Sequence, residues 1–486
     1  MIHTGFYLPS FKKSTWLLVA LGLPIGMFIG LIAAVLPLNI TIALVVLPVF
    51  MVIALLLPQY AVIAAIFAAF GALPSAFLPQ IPLAGGTVRA GDLFLAGVGG
   101  LLLLKLIAVK ARDISFIQSE YSKPLLYFSG LVLMSSITAL GYFNTPFKYY
   151  LYELRVVFYW LIFPITLYAV RGETRLMQFI YSLLMIGVVL AAGVVFQSIT
   201  GVRVLEASRV EALATVGKGV TGITRSTAGG GIYFILFVLN AGLALWCYRQ
   251  KGFWISGILI VLSVVALVVT FGRAVWAAEV VALLVMILVL GKAARRRAIL
   301  ILSVGVFSSV IGLIAFSPNM LDVIVDRVSS VGREVDHGES YEWRRIEDEY
   351  AVKKIVANPL FGVGLGGEYQ PIRNKGMSVE QTRYIHHGYL YLVLKFGVLG
   401  IIFPIWIGLV FLRHFYSMRK RGYVHPKYEA LAAAVFVTGI TPFLTSFTQP
   451  EWMYHTGVAF FACSFATLKL IDRYGTKNSP GNQNVS

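Results

Sequence analysis

Apolar stretches recur along the whole chain, each about 17–25 residues and so long enough to cross a bilayer core as a helix. About fourteen are read, at residues 15–36, 38–57, 60–78, 91–109, 124–143, 151–170, 175–199, 230–248, 252–271, 274–290, 298–316, 387–412, 428–448 and 453–470. The third is broken by Pro74 and Pro79 and reads as short or re-entrant. The pattern predicts an all-α polytopic membrane protein with about 12–14 transmembrane helices. Its organisation follows from where the pattern stops. Residues 1–316 form N-terminal transmembrane helices, 317–386 a large partly helical loop, and 387–474 C-terminal transmembrane helices. Residues 475–486 read as a disordered tail.

Composition supports the same class. Hydrophobic residues make up 58% of the chain, charged residues only 13%, and the mean hydropathy is +0.82. A soluble protein of this length could not hide that much apolar surface. The first apolar run follows Lys12 and Lys13 as a signal peptide would, but it exceeds the usual core of about 7–15 residues and reads as a retained helix. Cys247 and Cys463 both lie in apolar runs and give neither a disulfide framework nor a metal cluster.

The formal charge is +18. Part of it sets orientation. Short basic clusters occur at Lys12-Lys13, Lys110 with Arg112, Arg171 with Arg175, Arg249 with Lys251, Lys292 with Arg295-Arg296-Arg297, Arg419-Lys420-Arg421, and Lys469 with Arg473. Alternating spans put all of them on one side, the cytoplasmic side by the positive-inside rule, and both termini with them. Two long loops fall on the opposite face, at about 200–229 and 317–386. They too are rich in arginine and lysine, which points to anionic partners: membrane phospholipids or a phosphorylated substrate. No nucleic-acid partner is expected.

Within the large loop, Trp343 to Ala357 reads as an amphipathic helix with Ser340 as cap and Trp343, Ile346, Tyr350 and Ala351 on one face. Asn358-Pro359 ends it. The glycine-rich run Leu360 to Gly367 lacks the Gly-Lys-Ser/Thr ending of a nucleotide loop. It reads either as a tight bend with close backbone approach or as exposed amides for a phosphate.

The chemistry-bearing residues lie on the external face. His386 and His387 stand where the loop re-enters the membrane and can exchange a proton near neutral pH; the alternative is an interfacial pair at headgroup level. Arg273 occupies the short turn of a helical hairpin, where an arginine meets a phosphate or carboxylate, or snorkels to headgroups. Arg225 sits among hydroxyls and glycines before a helix start, an anion site or a plain loop. Arg344 and Arg345 open the loop helix, with Glu342, Glu347 and Glu349 near enough for a solvated ion-pair face. Glu279 and Lys395, inside apolar segments, read as facing protein or as a structural pair.

Three pieces occur in order: Phe271-Gly272-Arg273-Ala274; Arg344 ahead of Asn358-Pro359-Leu360-Phe361-Gly362-Val363-Gly364-Leu365-Gly366; and His386-His387 followed by Tyr389-Leu390 and Phe396-Gly397-Val398-Leu399-Gly400. Over about residues 220–412 this resembles the O-antigen ligase and polymerase superfamily (the Wzy/WaaL type), whose large periplasmic loop carries Arg, "NPLxGxGxG" and "HNxxL" elements. His387 stands where that motif has Asn, and Lys395 where relatives often have an acid.

The resemblance implies a GT-C-like membrane glycosyltransferase in the bacterial inner membrane with a periplasmic active site. It implies an undecaprenyl (polyprenyl) diphosphate glycan as donor, and lipid A core or a second lipid-linked glycan as acceptor. His386, with His387 beside it, takes the catalytic position. Arg273, Arg344, Arg345 and, more loosely, Arg225 take the substrate diphosphate. No Asp-x-Asp motif occurs in the external loops, so a metal-independent, inverting transfer without cofactor is expected. Ligation to lipid A core in lipopolysaccharide assembly is favoured over polymerisation. From another class, a lipid-linked sugar flippase or transporter would concentrate polar groups at the membrane midplane instead, and a structural partner of an envelope-assembly complex would tolerate loss of single loop arginines.

Overall fold

The computed structural model describes residues 56–70, 81–83, 86–88, 91–92, 94–100, 119–205, 209–215, 219–248, 253–316, 322–326, 328–329, 339–372 and 377–477. The spans read at 15–36 and, up to residue 55, at 38–57 lie outside them, as do Lys12, Lys13, Lys110, Arg112, Arg249 and Lys251.

The described chain is overwhelmingly helical, an all-α polytopic membrane protein. Its helices are α1 (Pro58–Ala69), α2 (Ser122–Ile137), α3 (Phe147–Phe158), α4 (Ile162–Ala169), α5 (Glu173–Thr200), α6 (Ile232–Cys247), α7 (Phe253–Val269), α8 (Arg273–Val289), α9 (Lys292–Phe316), α10 (Glu339–Ala357), α11 (Gly388–Phe396), α12 (Ile402–Arg421), α13 (Pro426–Thr445) and α14 (His455–Gly475). Six continuous helical runs are long and apolar enough to span a bilayer: Ser122–Tyr142, Phe147–Ala169, Glu173–Thr200, Gly229–Cys247, Val398–Arg421 and Pro426–Thr445. The run from Phe147 joins α3 to α4 through a tighter turn at Tyr159–Leu161.

α6 is apolar on every side and is packed by α5, α7, α9 and α13, which makes it the core helix of the bundle. The two ends of α13 define two poles, about 30 Å apart for twenty helical residues. At the first pole Glu173 meets Lys427, Arg297 donates to the Cys247 carbonyl, and His414, Arg421 and Lys469 surround Asp472. These are ends where the sequence carries basic clusters. At the second pole Gly388 N donates to Ser446 O just past α13, so the start of α11 rests there.

Three features depart from the sequence reading. The segment read at 387–412 is not one helix: it breaks at Gly397 (φ +70), leaving the nine-residue α11 and then the spanning run from Val398. The loop at 200–229 contains an antiparallel hairpin, β3 (Arg209–Thr215) and β4 (Gly219–Thr227), after a short hairpin of β1 (Ile81–Leu83) and β2 (Gly86–Val88); strand numbering is separate from the helices. And α14 runs through Gly475, with Thr476 buried and bridged to Tyr423, where the sequence placed the start of the tail. Residues 478–486 lie outside the described residues.

The glycine-rich run is a tight bend. Gly362, Gly364 and Gly366 all have positive φ, and a Cβ at them would lie 2.2 Å from Leu394 O, 2.6 Å from Ala139 N and 2.5 Å from Tyr149 C. Four of its amides are spent inside the protein: Gly362 on Asn358 O, Val363 on Leu394 O, Gly366 on Glu153 and Gly367 on Gly364 O. Those four are not free to hold a phosphate.

Glu153 is the anchor. Its carboxylate, 4% exposed, accepts from Gly366 N (2.7 Å), Tyr391 OH (2.8 Å) and Lys395 Nζ (2.8 Å), and Lys395 also donates to Gly367 O (2.8 Å). So Lys395 is half of a buried structural pair. Lys395→Met strands the Glu153 charge and should cost about 3–5 kcal/mol, seen as lost thermal stability of the purified protein. Pairing it with Glu153→Gln should recover much of that loss; a single variant as stable as wild type would remove the pair from this role.

Candidate active site

α10 forms where the sequence places it, with Asn358-Pro359 ending it, but Ser340 lies inside its first turn rather than before it. The buried residues of its inward face are Glu347 and Ala351. Glu347 lies four residues after Trp343, three before Tyr350 and four before Ala351, in the middle of the apolar stripe. It packs α10 against the segment entering α11.

There Glu347 meets His386. Its Oε2 lies 2.9 Å from His386 Nδ1 and 3.3 Å from His386 N, and Trp343 Nε1 donates to Oε1. A carboxylate that already accepts two N–H groups takes a third, so Nδ1 carries the proton and the basic lone pair of the ring falls on Nε2. Glu347 is 2% exposed and the His386 side chain 36%, so the orienting group is dry and the working ring is open. The ring of Tyr384 meets that of His386 edge-on at 5.1 Å.

His387 has a different task. It is the N-cap of α11, its Nδ1 accepting from Leu390 N at 3.1 Å. That contact uses its acceptor nitrogen, and its ring lies against Phe447.

The arginines fall into two groups. Arg273 is the first residue of α8 and lies close enough to Arg344 and Arg225 for each to repel its positive charge. Arg344 in turn acts on Asp348, and so do His387 and His386. Burial raises the Asp348 carboxyl above its ordinary range, against the pull of His387, Arg344 and His386. A series of electrostatic neighbours therefore runs from Arg225 and Arg344, each next to Arg273, to Asp348, on which Arg344 and both histidines act. Arg345 is paired at 2.7 Å with Glu342, where both side chains are more than half exposed.

Arg225 is also committed locally. On β4, opposite Glu211, it donates from Nε to Thr270 O (2.9 Å) and pairs with Glu211 (3.2 Å). Burial is the main influence lowering its pKa. Thr270 belongs to the turn before Arg273, where Phe271 adopts φ +49, a strained conformation for a buried aromatic residue. Gln197 holds the hairpin from below, accepting from Val204 N and Leu205 N and donating to Ser226 Oγ.

Other loop cations are tied to carboxylates. Arg383 bonds Gly366 O and Glu368 and covers the Tyr149 ring, and Lys353 pairs with Glu349. Arg327, Arg333, Arg373, Lys375 and Lys218 lie outside the described residues. Sequence reasoning missed Glu347 and Asp348 as parts of the site. The signal for Glu347 was present, a lone carboxylate centred in an apolar helical stripe; nothing in the spacing marked Asp348.

Residues 258–405 match the model of a protein family described as O-antigen ligase. That stretch contains Arg273, Arg344, Arg345, His386, His387 and Glu347, and leaves out Arg225. No curated protein matches the chain significantly.

Arg225→Ala should speed hydrogen exchange in the 270–272 turn and cost about 1.5–3 kcal/mol, the range for hydrogen bonds from a charged donor. Arg345→Ala should stay within about 0.5 kcal/mol of wild type. Equal effects of the two variants on stability and exchange would contradict this division.

Proposed function

We propose that this chain, whose residues 258–405 match the family model described as O-antigen ligase, transfers a glycan from a polyprenyl diphosphate to a sugar hydroxyl, on the periplasmic face of the bacterial inner membrane. The observation that carries the reading is His386, oriented by buried Glu347 through Nδ1, acting with Arg344 on the same Asp348, while Arg344 in turn neighbours Arg273. The favoured acceptor is lipid A core, which makes the protein an O-antigen ligase. A second lipid-linked glycan as acceptor would make it a polymerase with the same donor chemistry.

The reaction follows from the groups present. The acceptor hydroxyl attacks the anomeric carbon, and its proton passes to Nε2 of His386 as the new C–O bond forms. The bond from the anomeric carbon to the phosphate oxygen breaks, and its electron pair leaves with the lipid diphosphate. Arg273 and Arg344 oppose the charge that builds there, and fixed guanidinium groups do this best where water is scarce. Glu347 holds the ring and steadies the imidazolium. His387 holds the backbone that aims His386, and Arg225 holds the turn that presents Arg273. A single displacement inverts the anomeric centre, and no step in this scheme calls on a metal ion. The first pole, with its basic clusters, faces the cytoplasm together with both termini.

The deciding assay supplies a defined polyprenyl-diphosphate glycan with either lipid A core or further donor. One glycan block attached to core marks a ligase; a ladder of longer lipid-linked chains marks a polymerase. In either assay His386→Ala should lower kcat by about 10²–10⁴-fold with the protein still folded in the membrane. Arg273→Ala and Arg344→Ala should lower kcat/KM, and Arg345→Ala should act like wild type. Full turnover by folded His386→Ala, or substrate movement across vesicles with no glycosidic bond formed, would overturn the proposal.

A further inference from the structure

A second polar centre lies inside the bundle, where the proposed transfer reaction makes no use of it. Glu279 is six residues along α8 from Arg273, about 9 Å by helical rise, and is 2% exposed. Asn240 of α6 and Thr438 of α13 are wholly buried beside it. Asn240 Nδ2 donates to Glu279 Oε1 (3.0 Å) and to Thr438 Oγ1 (3.2 Å), and Thr438 Oγ1 donates onward to Ala434 O (2.8 Å). Both amide hydrogens of Asn240 are thereby used. Two acceptor atoms are left over: Glu279 Oε2 and Asn240 Oδ1, both buried and both without a hydrogen-bond partner.

An ionised carboxylate with one amide donor and no cation is strongly disfavoured in such a place. Among the described residues no lysine, arginine or histidine acts on it. A single proton resolves both leftover atoms, because a carboxylic acid O–H is the donor each of them lacks. A bound metal ion fits less well: hard cations gather several oxygen ligands, and here the amide nitrogen is turned toward Glu279 and Thr438.

We propose that Glu279 is a proton-binding site, a neutral carboxylic acid whose Oε2–H donates to Asn240 Oδ1 and closes an acid–amide ring tying α8 to α6 and α13. The ring fixes the helix that carries Arg273 at its end, so Glu279 is a positioning residue for the site above. The proton itself is independent of the proposed function; only the positioning role rests on it. Glutamine can form the same ring, its amide N–H replacing the acid O–H. Leucine cannot, and it leaves Asn240 with Thr438 but with Oδ1 and one amide hydrogen unpaired.

The test uses the full-length protein in lipid nanodiscs. Infrared difference spectra of wild type against Glu279→Gln should show a protonated-carboxyl C=O band at neutral pH that the variant lacks. Glu279→Gln should keep wild-type thermal stability and transfer rate. Glu279→Leu should lower transfer by about 10²-fold, the scale of a group misplaced by about 1 Å. The proposal is overturned if wild type shows no acid band, if sodium or potassium abolishes that band, or if Glu279→Leu transfers at the wild-type rate. Should Glu279→Leu fail to fold, the infrared comparison with Glu279→Gln still decides. An acid band in a wild-type protein that makes no product sustains the proton site and defeats the transfer reading instead.

Discussion

The site depends on a carboxylate that has almost no access to water. Glu153 of α3 accepts a backbone amide from the glycine bend, a phenol from α11 and an ammonium from the next turn of α11. Each partner is also buried, so removing any of them exposes a charge to low dielectric rather than to solvent. The bend and α11 are therefore fixed to the same point of the bundle. Since α11 begins two residues after His386, and Gly388 N is bound to Ser446 O, the histidine emerges from backbone held on both sides. The stretch that carries His386 is thus a platform fixed to the helices around it.

Three buried glutamates answer the same electrostatic problem in three ways. Glu153 is balanced by a full positive charge, Lys395. Glu347 is balanced by a histidine whose charge changes during the proposed reaction, with Trp343 and a backbone amide supplying the remaining donors. Glu279 meets only an amide. The first arrangement is suited to permanence and the second to a proton that comes and goes. Burial makes all three informative, because an unneeded carboxylate would be selected against on cost alone. A fourth, Glu451 in the connection before α14, is pushed up to about 7 by burial, with Tyr233 as its hydrogen-bond partner.

Much of this was legible in the sequence, and the limits have physical causes. Apolar runs located the spanning helices to within a few residues, as at 175–199 against Glu173–Thr200, because bilayer thickness sets their length. The same criterion merged α11 with α12, since hydropathy does not register the positive φ that Gly397 adopts. The β3–β4 hairpin was missed because its strands, Arg209–Thr215 and Gly219–Thr227, are half-polar and carry no apolar run to mark them. The histidine pair stood out, but choosing between its members required knowing that His387 caps a helix. Arg225 and Arg273 lie 48 positions apart in sequence, and only a tertiary contact, Arg225 to Thr270 O, joins them.

That contact bears on why several guanidinium groups stand so close together. Arg225 and Arg344 each repel Arg273, and partial burial strengthens the repulsion by lowering the effective dielectric. The fold tolerates it because each backbone is fixed by something else: β4 by Gln197, the 270–272 turn by Arg225 and α10 by the Glu347–His386 contact. An anion placed among them would lower that repulsion. A diphosphate would therefore gain both direct attraction and release of the repulsion, and the gain grows as charge builds on the leaving group. Arg225, Arg345 and Arg383 each pair with a glutamate of their own, so each would bring to the proposed substrate a charge already partly offset.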